Sequence, residues 1–216
     1  MISSLPYYIA IEGPIGVGKT SLAKRLAKTF HYELLLEEPK KNPFLNRFYE
    51  NPRRHALATQ LFFLFQRAEQ IQTLNQDDLF KNLRIADFLI DKDMLFAQQN
   101  LEKEEYNLYV QTYDHLTINA PKPNLVIYLQ ASTAALLERI KERGVPSEQL
   151  IEHSYLEKLN HAYAEFFHYY KDGPLLIINT EEFDPIHSEP DYQILITHIQ
   201  KCPNGTHYFN PTNSLL

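Results

Sequence analysis

The run Gly13-Pro14-Ile15-Gly16-Val17-Gly18-Lys19-Thr20 has the residue types and spacing of a phosphate-holding loop. Its glycines let successive backbone N–H groups converge on phosphate oxygens, and the start of a following helix adds its positive end. In that arrangement Lys19 reaches the β- and γ-phosphates, the Thr20 hydroxyl ligates Mg²⁺, and the binding segment extends to Ser21. The chemistry implied is the binding of a nucleoside triphosphate or something built like one. A ligand-free glycine-rich turn is the plain alternative.

Four other sets carry chemistry. Glu37 and Glu38 precede Pro39, and a carboxylate near a phosphate loop can take the proton an alcohol loses as it attacks phosphorus. Gln60 and Arg67 are seven apart around Phe62, Phe63, Leu64 and Phe65, which puts them on one helix face within about 20°. A carboxamide among aromatics can pair two-pronged with a nucleobase edge, and Arg67 can support that amide or reach a base acceptor. Arg139 and Arg143, four apart ahead of Gly144-Val145-Pro146, read as lid arginines closing over phosphate or as a solvated helix end. Asp87, Asp91, Lys92 and Asp93 cluster further on, and one carboxylate there is expected to serve Mg²⁺, a choice spacing leaves open. The histidines show no metal-ligand spacing, and His161 and His168 read as packing or surface residues.

These residues need a frame. Tyr7 to Ile11 reads as a buried strand before the loop, and Ser21 to Ala27 as the helix after it. Further strands are expected at 31–36, 83–90, 125–129 and 175–179, and helices near 44–50, 53–74, 94–97, 104–118, 133–143, 149–170 and 191–199. Ser132 or Thr133 is the expected N-cap of the 133–143 helix. The wide apolar face of the 53–74 helix predicts burial on more than one side. Alternation of strand and helix implies an α/β three-layer fold, a parallel sheet of about five strands with helices on both faces. Ligands of such sheets sit beyond the carboxyl ends of the strands, the edge that would gather 13–20, Glu37-Glu38, 87–93 and Gln130. Residues 202–216 are polar and expected to be poorly ordered.

Composition narrows the classes. At 216 residues, 44% apolar and 22% charged, the chain reads as one globular domain spanning 1–216. A net charge of −6 argues against a nucleic-acid or anionic-membrane partner. The single cysteine, Cys202, excludes an internal disulfide framework, and no run reaches a membrane-spanning length, so a cytoplasmic setting is expected.

In order and spacing, the motifs resemble the deoxyribonucleoside kinase family, in particular its bacterial deoxyadenosine/deoxyguanosine kinase branch. The resemblance is carried by Tyr8 to Thr20 with Glu12 before the loop, Asn42-Pro43-Phe44-Leu45 with Phe48-Tyr49, Gln60 to Arg67, Tyr128-Leu129, Arg139 to Glu148, and Tyr155-Leu156. It implies transfer of the ATP γ-phosphoryl group to the 5′-hydroxyl of a deoxyribonucleoside, with Mg²⁺ as cofactor and a homodimer as assembly. By position it makes Glu37 the base, with Glu38 the competing alignment. Tyr49 and Glu148 would bind the 3′-hydroxyl, Gln60 and Arg67 the nucleobase, and Arg139 and Arg143 would be lid arginines in a helical lid near 139–150. Two departures stand out. The family's acid–arginine–hydroxyl triplet after the third strand is here Ala86-Asp87-Phe88, so Asp87 would serve Mg²⁺ and Lys92 would supply the cation. The lid reads Arg143-Gly144-Val145, one arginine short of the usual pattern.

The expectation is therefore an ATP-dependent kinase of purine deoxynucleosides. A nucleoside monophosphate kinase is the nearest rival, but its anionic acceptor needs cations, and the sequence offers no arginine near Glu37 and Glu38. A nucleotide-binding regulator without catalysis is the rival from another class.

Overall fold

The computed structural model describes residues 5–76, 83–116, 120–201 and 204–209. Its strands are β1 (Tyr8–Glu12), β2 (Glu33–Leu35), β3 (Arg84–Ala86), β4 (Leu125–Gln130), β5 (Leu175–Asn179) and β6 (Thr206–Phe209). Its helices are α1 (Lys19–Phe30), α2 (Leu45–Glu50), α3 (Pro52–Gln76), α4 (Lys92–Asn100), α5 (Lys103–Leu116), α6 (Thr133–Arg143), α7 (His153–His168) and α8 (Glu189–Gln200). The strands form one sheet in the order β2-β3-β1-β4-β5-β6. Every pairing is parallel, with Ile9 opposite Ile85 on one side and Leu125 on the other.

A parallel sheet with both faces covered needs apolar residues at every position of its central strands. β1, β4 and β5 meet that need up to their last residues, Glu12, Gln130 and Asn179, and the two-residue period sends alternate side chains to opposite faces. Ile9, Ile11, Ile127, Leu129, Leu176 and Ile178 join Leu22 and Leu26 of α1, Leu136 of α6 and Leu195 of α8. Ala10, Val126, Tyr128 and Ile177 join Leu95 of α4 and Leu159, Tyr163 and Phe167 of α7. Beyond the sheet, α3 packs against α2, α4 and α5 of the same chain, around Leu64, Ala97 and Tyr109. Its broad apolar face is used inside the chain and gives no separate argument for a dimer.

Several boundaries differ from the expected ones. The sheet has six strands rather than about five, and the sixth lies in the stretch expected to be poorly ordered. There Gly205 hands its carbonyl to Leu175 N–H, and Phe209 stacks edge-on against Phe183 and beside His198. Three aromatic rings thus anchor a strand that composition reads as a polar tail. Cys202 and residues 210–216 lie outside the described residues, as do the last positions of the 104–118 helix. β2 and β3 are only three residues long, which leaves Glu37 and Asp87 in loops at the carboxyl edge. Ser132 is the N-cap of α6, accepting from Ala135 N–H at 3.2 Å. The expected helical lid is the end of α6 followed by a short 3₁₀ turn, Pro146–Leu150, with α7 starting afresh at His153. Among the described residues, no helix is long and apolar enough to cross a membrane.

Candidate active site

The phosphate loop joins β1 to α1, and its shape leaves no room for a side chain at Gly13, Gly16 or Gly18. A Cβ on Gly13 would overlap the Leu129 carbonyl of the neighbouring strand, and one on Gly18 would overlap the Ile186 side chain. Gly18 also caps α1 at φ 103°, in the left-handed region glycine reaches without cost. Lys19 curls back so that its ammonium donates to the carbonyls of Gly13 at 2.7 Å and Pro14 at 3.1 Å. Burial lowers its proton affinity, with Lys92 adding to the effect and Glu12 opposing it. Beside it the Thr20 hydroxyl donates to Asp87 Oδ2 at 2.5 Å, while Asp87 Oδ1 accepts from Glu37 N–H at 2.7 Å. Burial raises the Asp87 carboxyl, eased by these two hydrogen bonds.

Two cavities flank this loop. The first is lined by Ile15, Gly16, Lys19 and Thr20 of the loop, then by Glu37, Tyr49, Gln60, Arg67, Asp87, Lys92, Asp93, Arg143 and Glu148, with Phe63 and Phe96 as apolar walls. The second lies across the loop, lined by Gly16, Val17, Gly18, Ser21, Arg139, Arg143, Thr180 and residues 184–187. Arg139 faces this second cavity and not the first. It donates to the Thr180 hydroxyl and the Thr180 carbonyl, each at 2.8 Å. Arg143 borders both cavities and lies 2.5 Å from Glu148. Tyr49 lines the same wall, and burial, with Tyr155 and Glu148 nearby, keeps its phenol protonated.

Glu37 and Glu38, adjacent in sequence, part company. Glu37 points into the first cavity. Glu38 pairs with Lys41 at 2.7 Å on an exposed surface and lines a separate shallow groove. The expectation of no arginine near Glu37 fails, because α3 brings Arg67 to the carboxyl edge of the sheet. Arg67 donates to both Glu37 and Asp93. Lys92 stands 3.4 Å from Glu37 and 3.6 Å from Glu12. The order Glu12, Lys92, Glu37, Arg67, Asp93 is thus a chain of alternating charge, in which each cation sits between two carboxylates. Burial of this kind is tolerated only when every charge is paired.

The pairing sorts the proton affinities. Burial works against the charge on Glu37, but Lys92, Arg67 and Lys19 outweigh it and hold the carboxyl at about 2. Burial wins at Asp93 and pushes its carboxyl up to about 6, against the pull of Arg67 and Lys92. Burial also opposes the Arg67 charge, yet Asp93 and Glu37 bind its proton more tightly than usual. Asp93 Oδ2 and Arg67 Nε are buried without hydrogen-bond partners, an acceptor and a donor on the wall that also carries Gln60. Asp93 stood in the sequence only as one of four charged neighbours, and Glu12 only as a letter of the loop motif.

The donor set at Thr20 and Asp87 fits Mg²⁺, since both offer hard oxygen ligands side by side. Among the described residues no three His, Cys, Asp or Glu side chains group as a metal cage. Any Mg²⁺ here would take its remaining ligands from phosphate and water.

The sequence profile of the deoxynucleoside kinase family matches residues 9–203. A deoxyguanosine kinase of Bacillus subtilis is 35% identical over 199 residues, covering 90% of this chain and 96% of the relative. A deoxyadenosine kinase of Dictyostelium discoideum is 33% identical over 187 residues, covering 82% of this chain and 74% of the relative. A solved structure of deoxyadenosine kinase from M. mycoides with bound dATP superposes with a TM-score of 0.76 at 27% identity, covering 89% of this chain and 98% of that one.

Proposed function

This chain belongs to the deoxynucleoside kinase family, and on that premise we propose that it phosphorylates purine deoxynucleosides at the 5′-hydroxyl with Mg·ATP, using Glu37 as the base. Deoxynucleoside phosphorylation, with an alcohol as acceptor, follows from the family. The purine preference and the individual residue roles go beyond the family.

The observation that carries them is the position of Glu37. Its carboxylate opens into the cavity that the phosphate loop walls on one side, and its charge is held by Lys92 and Arg67. A group held at about 2 is ionised at every working pH; it is a weak base, so it orients the 5′-hydroxyl as a hydrogen-bond acceptor and takes the proton late, once bonding to phosphorus has made that oxygen acidic. The loop N–H groups, Lys19 and the start of α1 hold the triphosphate, and Arg143 borders the place where the two substrates meet. Bound at Thr20 and Asp87, Mg²⁺ would supply neutralisation of charge on the transferring phosphate. Catalysis is mainly positioning and charge compensation.

The sugar's 3′-hydroxyl is assigned to Tyr49 and Glu148. The nucleobase is assigned to Gln60, Arg67 and Asp93. Arg67 suits a 6-oxo acceptor and Asp93 a 6-amino donor, and the relatives' names, deoxyguanosine kinase and deoxyadenosine kinase, support a purine. A monophosphate acceptor is disfavoured by the charge balance, because Lys92 and Arg67 are already matched by Glu12, Glu37 and Asp93. A homodimer is proposed on the family resemblance and is tested by light scattering.

The deciding experiment is steady-state phosphorylation of deoxyguanosine and deoxyadenosine by Glu37→Gln and Glu38→Gln. Glu37→Gln is expected to lose about 10²–10⁴-fold in kcat with both KM values kept, and Glu38→Gln to match the parent enzyme. The reverse pattern would move the base to Glu38.

A further inference from the structure

Glu12, the last residue of β1, is wholly buried and lines neither cavity beside the phosphate loop. Its carboxylate is saturated from four directions. Oε1 accepts from Gly13 N–H at 2.8 Å and from the Tyr163 hydroxyl at 3.0 Å. Oε2 accepts from Leu89 N–H at 2.8 Å and lies 3.6 Å from the Lys92 ammonium. Those partners belong to the phosphate loop, α7, the segment after β3, and the first residue of α4. On its other side the same ammonium stands 3.4 Å from Glu37 Oε1 and 3.5 Å from Glu37 Oε2.

We infer that Glu12 is a positioning residue for phosphoryl transfer, holding Lys92 from the sheet side so that its ammonium steadies Glu37 without capping it. A lysine is a point charge on a flexible four-carbon stem. With Glu37 as its sole counter-ion, Lys92 would close onto that carboxylate and occupy the lone pairs that must receive the 5′-hydroxyl proton. Glu12 shares the ammonium and prevents the collapse. Through Gly13 it also ties this restraint to the first N–H of the phosphate loop, so base and donor are registered to the end of one strand. A purely architectural Glu12 would leave kcat tied to folding alone. A Glu12 acting through Lys92 makes kcat depend on Lys92 being present.

The inference rests on Glu37 as the base, and a double-mutant cycle tests it: kcat, both KM values and Tm for Glu12→Gln, Lys92→Met and the double variant. Glu12→Gln is expected to lose about 10²-fold in kcat, the effect of displacing a catalytic group by about 1 Å, with both KM values within about threefold, a separation that marks positioning, not binding. The double variant is expected to be as slow as Lys92→Met alone, since the interaction is then already gone. Losses that multiply, or a Glu12→Gln enzyme with a lowered Tm and parental kcat, would overturn the inference. If Glu12→Gln does not fold, Glu12→Asp takes its place in the cycle, and multiplying losses there overturn it equally. Failure of the underlying reading looks different: Glu37→Gln would then keep the parental kcat.

Discussion

The two cavities that share the phosphate loop as a wall are organised in opposite ways. On the side of residues 180–187 the glycines of the loop share the lining with Arg139, Arg143 and residues 184–187, Arg139 being tied to the Thr180 carbonyl and Ile186 laid against Gly18. On the α3 side the lining is side chains, a chain of five buried or half-buried charges drawn from β1, the β2–α2 loop, α3 and α4. Backbone N–H groups recognise what every triphosphate has in common. Buried side chains with unmet hydrogen-bonding capacity recognise one acceptor, because a wrong partner leaves them unpaired. Substitutions on the α3 side should therefore cost more and be more specific than those across the loop.

The hardest test of that contrast is Arg67→Met, which strips Glu37 and Asp93 of their shared cation. Breaking a buried pair from one side costs about 3–5 kcal/mol, so chemical denaturation should show a loss of that order, and deoxynucleoside binding should fall with it. Retained stability would show that the charge chain is not what organises this wall. Gly18→Ala comes next. It meets Ile186 and a left-handed backbone, so about 1–3 kcal/mol of strain is expected, read as a raised KM for ATP with acceptor binding kept. A rise in the acceptor KM instead would blur the division between the cavities.

A third prediction uses pH to separate the carboxylates. Asp93 is raised from 3.8 to about 6, so the folded enzyme holds an extra proton between those values. Its contribution to stability is full below about 3.8 and lost as pH rises through about 6. Relative to Asp93→Asn, the parent should therefore lose Tm across that window. Its kcat/KM for the acceptor should fall below about pH 6 as Arg67 loses a counter-charge, and Asp93→Asn should abolish that acid limb. Glu37, held at about 2, should contribute no limb in this range. The smallest effect is expected across the loop. Arg139→Ala removes two hydrogen bonds to Thr180, costs about 1 kcal/mol, and raises KM for ATP while sparing the acceptor.

The same contrast explains what could be read before folding. The phosphate loop is contiguous, so its glycines, Lys19 and Thr20 announce themselves by spacing, as do the apolar runs of β1, β4 and β5. The acceptor wall is assembled across the chain. Glu12 is tied to Tyr163, 151 residues away, and Arg67 reaches Glu37 across 30 positions. Spacing along a helix put Gln60 and Arg67 on one face but could not say that the face meets Glu37. β6 was hidden because its burial comes from Phe183 and His198, not from its own composition.

Whether this wall selects a purine deoxynucleoside is read from kcat/KM of the intact enzyme with Mg·ATP and deoxyadenosine, deoxyguanosine, deoxycytidine and thymidine, alongside the matching 5′-monophosphates. The expected result is 5′-monophosphate products with a purine favoured at least about tenfold and no turnover of the monophosphates. A pyrimidine preference, or faster turnover of a monophosphate, would contradict it.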